Sequence, residues 1–409
     1  MAEIKPPVET FARIKVVGVG GSGGHAISRM IDAKLKGVEF VAINTDAQDL
    51  HHNKAAEKVH IGKNLTKGLG AGMNPDVGRQ AAEENRDEIQ EVLKGADMVF
   101  VTCGLGGGTG SGASSIVVET SKELGALTVA VVTKPFSFEG AQRRAIAEEA
   151  LENLRERVDT LIIIPNDKLL QIIDKKTTLI NSFKIVDDVL RQGVQGISDL
   201  IIKPGIVNVD FADVKAIMSD SGSALMGIGI GSGENRSLEA AKAAINSPLL
   251  ELSIDGAKGV LFNVSGSSDL TMLEINEAAN IITESIDPNA KVIFGAVVDE
   301  TMRKGEVQIT VVATGFDTDR NSISPMQKMS RISVAKENQS REEKNVKTDE
   351  IERTDRMTFS EDFESKMIIE EKVPPKIKRN FSKSFKEAEE NNEDDDLEIP
   401  AFIRRKMKK

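Results

Sequence analysis

The chain of 409 residues contains no tryptophan, no tyrosine and a single cysteine, Cys103. Aromatic residues make up only 4% of it and apolar residues 40%, so its cores must be built from aliphatic side chains. A single cysteine excludes an internal disulfide. Because Cys103 ends an apolar run, it is interpreted as a small core residue.

Further absences exclude whole classes of function. The net charge is −11, whereas a general nucleic-acid binder needs a basic face to displace counterions, so no nucleic-acid partner is predicted. No apolar run is long enough to span a bilayer, and Met1 to Thr10 lacks a signal-peptide core. We therefore predict a cytoplasmic protein without direct membrane insertion. The P-loop motif Gly-x-x-x-x-Gly-Lys-Ser/Thr is absent too, which excludes a P-loop enzyme.

Glycine, in contrast, is concentrated between Gly106 and Gly112, which reads GGGTGSG. The apolar run 97–103 predicts a buried strand before this heptad, and Ala113 to Leu124 predicts a helix after it. Free N–H groups at the start of a helix, together with its dipole, form an anion site, which indicates a phosphate ligand. A ligand-free tight turn is the alternative, but it needs only one or two glycines.

A second glycine cluster, Gly18-x-Gly20-x-x-Gly23, follows a strand predicted from Arg13 and precedes a helix predicted from about His25 to Lys34. Alone, this cluster is a dinucleotide-binding fingerprint. That fingerprint requires an acidic residue about 20 residues further on, and the strand Val38 to Ile43 ends in Asn44-Thr45-Asp46. An NAD-dependent oxidoreductase is therefore an alternative for this segment.

The number of glycine loops favours a longer run of phosphates. A Rossmann half-site uses one such loop, whereas this chain has two and adds a third small-residue loop from Gly68 to Asn74, placed to close over a terminal phosphate. Since no P-loop lysine is present, backbone dipoles and a Mg²⁺ ion must neutralise the phosphate charge.

Strands and helices alternate through the first part of the chain, which predicts a Rossmann-like, doubly wound parallel sheet with its ligand at the carboxyl ends of the strands. A long helix from 178 to 201 is apolar nearly all round, which is typical of burial between two domains. A second α/β (α+β) domain follows it. The predicted boundaries are a leader, 1–11; a nucleotide-binding domain, 12–177; the central helix, 178–201; the second domain, 202–317; a disordered linker, 318–392; and a terminal peptide, 393–409.

The terminal peptide has an unusual order of charge. Five acids within 393–398 precede the apolar residues 399–403 and a basic end at 404–409. This order at the end of a disordered tether is interpreted as a partner-binding peptide, with a merely solubilising tail as the alternative.

Five segments of the chain match the pattern of a known family: the heptad, Thr133 to Gly140 (TKPFSFEG), Pro165 to Leu169, Asn208 to Asp213 (NVDFAD) and the carboxyl terminus. Through them the chain resembles the tubulin/FtsZ superfamily of polymerising GTPases, and in detail its FtsZ branch, over nearly its whole length. The resemblance implies a GTPase that binds GTP, GDP and Mg²⁺ and polymerises head to tail. It also implies a scaffold of the bacterial division ring at mid-cell, with residues 393–409 binding membrane-tethering and regulatory division proteins.

Phe183, Asp187 and Asn166 are the candidates for recognising the base. Guanine offers two adjacent donors, N1–H and the 2-amino group, which one carboxylate accepts, whereas adenine has no N1–H. Asp187 lies four residues after Phe183, hence on the same helix face. Taken alone, this spacing is more typical of a core phenylalanine and a solvent-exposed aspartate on one helix. The resemblance to the family favours guanine recognition by the two residues.

The resemblance also implies the remaining contacts. Glu139 and Arg143 are assigned to the ribose, although their spacing also suits a surface ion pair. Ser22 and His25 depart from the family pattern. The phosphate or Mg²⁺ contacts are Gly20, Gly21, Asn44, Ala71, Gly72, Gly106, Gly107, Gly108, Thr109 and Gly110.

Catalysis is assigned by the resemblance to Asn208, Asp210 and Asp213, in a loop that enters the nucleotide site of the neighbouring subunit and orients the attacking water. The structural alternative for Asp210 and Asp213 is helix N-capping. A scaffold that binds GTP without hydrolysing it is the functional alternative.

Overall fold

The computed structural model describes residues 12–169, 177–203, 205, 207, 209–247, 250, 253–299 and 302–316. The predicted leader, linker and terminal peptide, and Asn208, lie outside these residues. None of the helices in the described ranges is long and apolar enough to cross a membrane.

Six parallel strands form the first part of the sheet in the order 3-2-1-4-5-6, so the predicted doubly wound arrangement is confirmed. Their residues alternate between two aliphatic cores, one on each face of the sheet. The strands are β1 (Ile14–Val19), β2 (Val38–Asn44), β3 (Glu57–His60), β4 (Met98–Gly104), β5 (Leu127–Lys134) and β6 (Thr160–Pro165).

The helices of this part cover both faces: α1 packs on one face, and α4 to α7 pack on the other. They are α1 (Gly20–Asp32), α2 (Ala47–His52), α3 (Lys63–Thr66), α4 (Pro75–Glu84), α5 (Arg86–Leu93), α6 (Gly108–Glu123), α7 (Ala141–Arg155) and α8 (Asn166–Leu169). The sequence did not predict β3, α2, α3 or α5, because segments this short carry little periodicity.

Two predicted helix starts were wrong. The helix predicted from about His25 begins at Gly20, and the one predicted from Ala113 begins at Gly108. The reason is packing, since a Cβ at Gly23 would collide with the carbonyl oxygen of Thr102. Glycine is therefore required here where helix and sheet approach closely, as well as in the loop before the helix.

The predicted central helix is present as α9 (Leu179–Ile202), capped by Thr178. It lies with α1 against one face of the first strands and also contacts β8 and β9 of the second part. The remaining elements are α10 (Phe211–Met218), β7 (Gly222–Ser232), α11 (Arg236–Ile245), β8 (Gly259–Gly266), α12 (Met272–Glu284), β9 (Lys291–Val298) and β10 (Glu306–Thr314).

The second part has its own core but continues the same sheet. Residues 160–162 of β6 pair in parallel with residues 222–224 of β7. β10 then runs antiparallel between β7 and β8, and β9 is the edge strand beside β8. This mixed direction agrees with the predicted α+β character.

Candidate functional site

A cavity of about 380 Å³ opens at the carboxyl ends of β1, β4, β5 and β6. Its size suits a nucleotide-sized ligand, since binding cavities typically measure about 300–1,000 Å³. The predicted site residues in its lining are Gly20, Gly21, Gly72, Gly107, Gly108, Thr109, Gly110, Glu139, Arg143, Asn166, Phe183 and Asp187. Ser22, Gly104, Leu105, Thr133, Pro135, Val19 and Val186 line it as well.

All three glycine loops meet at one end of this cavity. Gly20, with φ +71°, lies so close to the heptad that an added Cβ would be 3.0 Å from the backbone nitrogen of Gly110. The third loop reaches the same point, where the backbone N–H of Gly108 donates to the carbonyl of Gly72 at 2.7 Å. Because α1 and α6 both begin here, their N–H groups and dipoles create a positive potential without a lysine.

Gly107 lies at the open wall of this end. A Cβ added there would meet no atom within 4 Å, so a side chain at Gly107 would enter empty space. Gly110 differs, since its Cβ would be 2.6 Å from the carbonyl oxygen of Gly104. Both glycines line the cavity, but only Gly110 is also required by the packing of the backbone.

Three predicted contacts, Asn44, Ala71 and Gly106, are not in the cavity lining. The Asn44 amide donates to Asp49 Oδ2 at 2.7 Å, and the Gly106 N–H donates to Ser111 Oγ at 2.9 Å. The Ala71 carbonyl packs against Gly108. These residues lie behind the loops, at the end of the cavity where the three glycine loops meet.

A threonine pair also connects the loops. The Thr45 hydroxyl, fully buried after β2, lies 2.6 Å from the Thr109 hydroxyl. Thr45 is not among the predicted site residues, because the two threonines meet only when β2 and β4 lie on either side of β1 in the sheet.

Phe183 forms the wall at the other end of the cavity and is 43% exposed there. The buried Phe136 ring meets it edge to face, with centroids 5.6 Å apart. A flat ring exposed to a cavity and fixed from behind is suited to stacking on a base. Asn166 is 5% exposed, and its Oδ1 has no hydrogen-bond partner among the described residues. That buried acceptor suits a ligand that donates a hydrogen bond.

Asp187 is held by a residue that sequence reasoning missed. The Nε of Arg29, on α1, lies 2.8 Å from Asp187 Oδ2. Burial raises the pKa of the Asp187 carboxyl, and the Arg29 charge partly offsets that rise. No local signal marks Arg29, because only the packing of α1 against α9 pairs the two side chains.

Glu139 and Arg143 form the ion pair that their spacing also suggested, at 3.4 Å, and both still line the cavity. Glu139 Oε1 also accepts from the backbone N–H of Phe136 at 2.9 Å. The ion pair therefore links this wall of the cavity to the aromatic wall.

His25 lies outside the cavity lining, with Nε2 3.5 Å from Asp49 Oδ1. The hydrogen bond to Asp49 raises the pKa of His25 above its ordinary value, against an opposing effect of burial. Ser22, the other departure from the family pattern, does line the cavity.

The acidic residues Asp210 and Asp213 are both exposed and lie beyond the far end of α9. The 24 residues of α9 extend over about 36 Å at 1.5 Å per residue. Phe183 lies near the helix start, and Lys203 follows its end. Asp210 caps α10 by accepting the N–H of Asp213 at 2.9 Å. Of the two candidates for the N-cap of α10, Asp210 is the one that caps the helix.

A larger cleft, about 550 Å³, lies between the end of α10 and the amino ends of β8 and β9. Its lining includes Lys258, Asp287 and Lys291 but none of the predicted site residues. The smaller cavity, which combines helix amino ends with an aromatic wall and a carboxylate, is the candidate site.

Comparison with known proteins agrees with this geometry. Residues 13–174 match the family model described as "Tubulin/FtsZ family, GTPase domain", and residues 222–317 match "FtsZ family, C-terminal domain". The chain is 49% identical to the FtsZ of a dimer structure from M. jannaschii, with a TM-score of 0.73 and coverage of 75% of this chain and 89% of that chain.

More distant structures share the fold alone. CetZ1 from Haloferax volcanii, solved as a GDP-bound monomer, is 21% identical, with a TM-score of 0.66 and coverage of 78% of this chain and 99% of that one. CetZ2 from the same organism, solved as a GTPγS-bound protofilament, is 19% identical, with a TM-score of 0.64 and coverage of 80% and 99%.

Proposed function

Because the chain belongs to the FtsZ family of GTPases, we propose that it polymerises head to tail and that each GTP is hydrolysed at a site completed by the next subunit. The observation that carries this proposal is the separation of the cavity from Asp210 and Asp213. With about 36 Å of helix between the two ends, these carboxylates cannot reach the phosphates of their own subunit. The same residues on a second copy are free to do so.

The exposed apolar residues support a contact between unlike ends. Leu69 and Phe138, which flank the cavity, are 85% and 63% exposed. At the far end, the lower surface consists of Met272 and Leu273 at the start of α12, with Asp210 and Asp213. Two different surfaces that meet by repeated translation give an open filament.

Two contacts place the start of α12 at the same end as Asp210. Val207, three residues before Asp210, pairs with Ala296 on β9. The carboxyl ends of β9 and β8 lie side by side, with Val298 paired to Gly266. Since α12 starts shortly after β8, Met272 and Leu273 lie at this edge.

Within the cavity, the chain's own groups suit GTP. Phe183 stacks on guanine, Asp187 accepts from its two adjacent donors, and Asn166 Oδ1 accepts from the base or sugar. Glu139 and Arg143 hold the ribose. The N–H groups at the starts of α1 and α6 bind the phosphates.

Among the described residues, no group of three or more His, Cys, Asp or Glu side chains could hold a metal ion. A Mg²⁺ ion bound together with the nucleotide would neutralise phosphate charge beside the N–H groups of α1 and α6. Asp213 of the incoming subunit orients and polarises the attacking water.

In the cell, we assign this filament to the scaffold of the bacterial division ring at mid-cell. Residues 393–409, with their acidic, apolar and basic blocks, are the binding site for membrane-tethering and regulatory division proteins. The family membership supports both assignments.

A mixing experiment tests the shared site. Asp213→Ala should bind GTP and assemble but hydrolyse it about 10²- to 10⁴-fold more slowly, since only the water-orienting group is removed. Gly107→Asp should bind no GTP, because a carboxylate would enter the phosphate end without disturbing the fold. Mixed, the two should regain phosphate release, since the Gly107→Asp subunit lends its Asp213 to a nucleotide held by its neighbour.

Co-sedimentation of the two variants must be established first. If they co-assemble and phosphate release stays at the level of Asp213→Ala alone, the shared site is wrong. Parent activity that persists at concentrations too dilute for assembly would contradict it equally. Parent filaments that never release phosphate would favour the non-hydrolysing scaffold.

A further inference from the structure

Arg236 is the first residue of α11, and its side chain is 7% exposed. A cation at a helix amino terminus opposes the helix dipole, and its burial removes water from the charge. Such a position requires compensation from neighbouring carboxylates.

Two acidic residues surround the Arg236 guanidinium. Nη1 donates to Asp269 Oδ2 at 2.8 Å, and Nη2 donates to the Asp269 carbonyl at 2.9 Å. On the other side, Nε and Nη2 donate to the two Glu274 oxygens at 2.6 and 3.1 Å. This two-sided arrangement uses the planar fork of arginine, which lysine lacks.

The same carboxylates organise the backbone around them. Glu274 Oε2 accepts the Thr271 N–H at 2.8 Å, and Thr271 Oγ1 accepts the Glu274 N–H at 3.3 Å, which completes a capping box at the start of α12. Asp269 also accepts from the Ser267 hydroxyl and from the Gly305 N–H. Arg236 therefore connects α11, the segment after β8, α12 and the turn before β10.

The first two residues of α12 follow this cap directly, and they are the exposed apolar pair of the lower surface. Met272 is 68% exposed and Leu273 is 67% exposed. Two large apolar side chains in water at the start of a helix fit a contact with another molecule. The direction of the Met272 and Leu273 side chains depends on the capping box that fixes the first turn of α12. That capping box depends on the Glu274 carboxylate.

We propose that Arg236 is a positioning residue for subunit assembly, which fixes the first turn of α12 so that Met272 and Leu273 meet the nucleotide-bearing end of a second copy. This inference rests on the proposed head-to-tail filament. The hydrogen bonds from Arg236 hold the pKa of Glu274 below its usual range. The hydrogen bond from Ser267, with that from Arg236, lowers the pKa of Asp269 to about 2. The network thus stays charged at neutral pH.

Arg236→Lys tests the proposal, because it keeps the charge and loses the fork. The concentration of subunits needed for GTP-driven sedimentation should rise about tenfold, as expected when one interface anchor is lost. GDP affinity should stay unchanged, since the cavity lies at the other end. Arg303→Lys is the matched control, because Arg303 is exposed and its partner among the described residues is Glu306, at 4.0 Å; it should assemble like the parent.

Two further measurements separate positioning from general destabilisation. In Arg236→Lys, amide hydrogen exchange should accelerate in the first turn of α12 but not in the heptad Gly106 to Gly112. Leu273→Ala should itself raise the assembly threshold, and adding Arg236→Lys to it should change the threshold by less than about twofold, because coupled residues are not additive.

Each outcome of these assembly measurements either supports or contradicts the role of Arg236. If the parent does not assemble with GTP, the proposed function and this inference fall together. If the parent assembles and Arg236→Lys has the same threshold, only the inference is wrong. A full tenfold effect of Arg236→Lys in the Leu273→Ala background would also overturn it, since Arg236 would then act elsewhere.

Discussion

At the residue scale, Asp187 combines two roles. It faces the cavity beside Phe183, and it accepts from Arg29 Nε at 2.8 Å. Burial raises the pKa of the Asp187 carboxyl, and the Arg29 charge partly offsets that rise. In the proposed guanine contact, the ionised carboxylate would accept both donors of the base.

Asp187→Ala should therefore weaken GTP binding by roughly 1.5–3 kcal/mol, the cost of leaving buried donors unsatisfied. Titration calorimetry with GDP and GTP measures it. Asp188→Ala is the control, because Asp188 bonds Arg191 and Gln192 and does not line the cavity. Equal affinity in Asp187→Ala and the parent would exclude Asp187 from base recognition.

His25 predicts a pH-dependent stability. Its pKa is raised in the folded state by Asp49, above the ordinary value of 6.5. Its contribution is therefore complete below the unfolded-state pKa and is lost as pH rises through the folded-state pKa. His25→Asn should melt below the parent at pH 5.5, and the two should coincide at pH 9. The difference should be under about 1 kcal/mol, because the His25 side chain is 69% exposed.

The partner gives the control for this experiment. In an Asp49→Asn background, His25→Asn should change the pH dependence of melting less than it does in the parent, because Asp49 is the main cause of the raised His25 pKa. Parallel curves for the parent and His25→Asn from pH 5.5 to 9 would show that the contact with Asp49 is not made.

At the element scale, the cap of α10 distinguishes the structural role of Asp210 from the catalytic role proposed for Asp213. Asp210 accepts the Asp213 N–H, whereas Asp213 lies inside the first turn. The two carboxylates are neighbours in the chain, yet their contributions to folding should differ.

Asp210→Ala should lower the free energy of unfolding by about 0.5–2 kcal/mol, the usual cost of a lost cap. Asp210→Asn should restore that stability, because its amide oxygen also caps, while removing the charge. Chemical denaturation measures the first effect, and phosphate release measures the second. If Asp210→Asn has full GTPase activity, the Asp210 charge has no part in hydrolysis.

At the scale of the whole molecule, the chain has two unlike ends joined by α9. One end carries the cavity, with Leu69 and Phe138 beside it. The other end carries the lower surface, which consists of Asp210, Asp213, Met272 and Leu273. A central helix that contacts strands of both parts is suited to transmit a change at one end to the other.

The terminal peptide should act apart from both ends. Deleting residues 399–409 should leave GTP hydrolysis and sedimentation largely intact, since the described residues that line the cavity all lie between Val19 and Asp187. The same deletion should abolish recruitment of the filaments to membranes carrying the division partners. A truncated chain that no longer binds GTP would show instead that the peptide belongs to the fold.

Much of this architecture follows from the sequence, because local chemistry and strand direction determine it. Glycine clusters after apolar runs predict anion sites, and alternating strands and helices bring those sites to one edge of a parallel sheet. The all-round apolar pattern of residues 178–201 predicts a buried helix.

Tertiary structure alone decided the contacts between residues far apart in the sequence. These contacts leave no periodic signal in the sequence, because each one forms only after its helices and strands have packed. They join Arg29 with Asp187, Thr45 with Thr109, and Arg236 with Asp269 and Glu274. The helix starts at Gly20 and Gly108 were decided in the same way. A glycine that permits close approach and one that lines a ligand cavity read identically in sequence, and only the neighbouring atoms in the folded chain distinguish them.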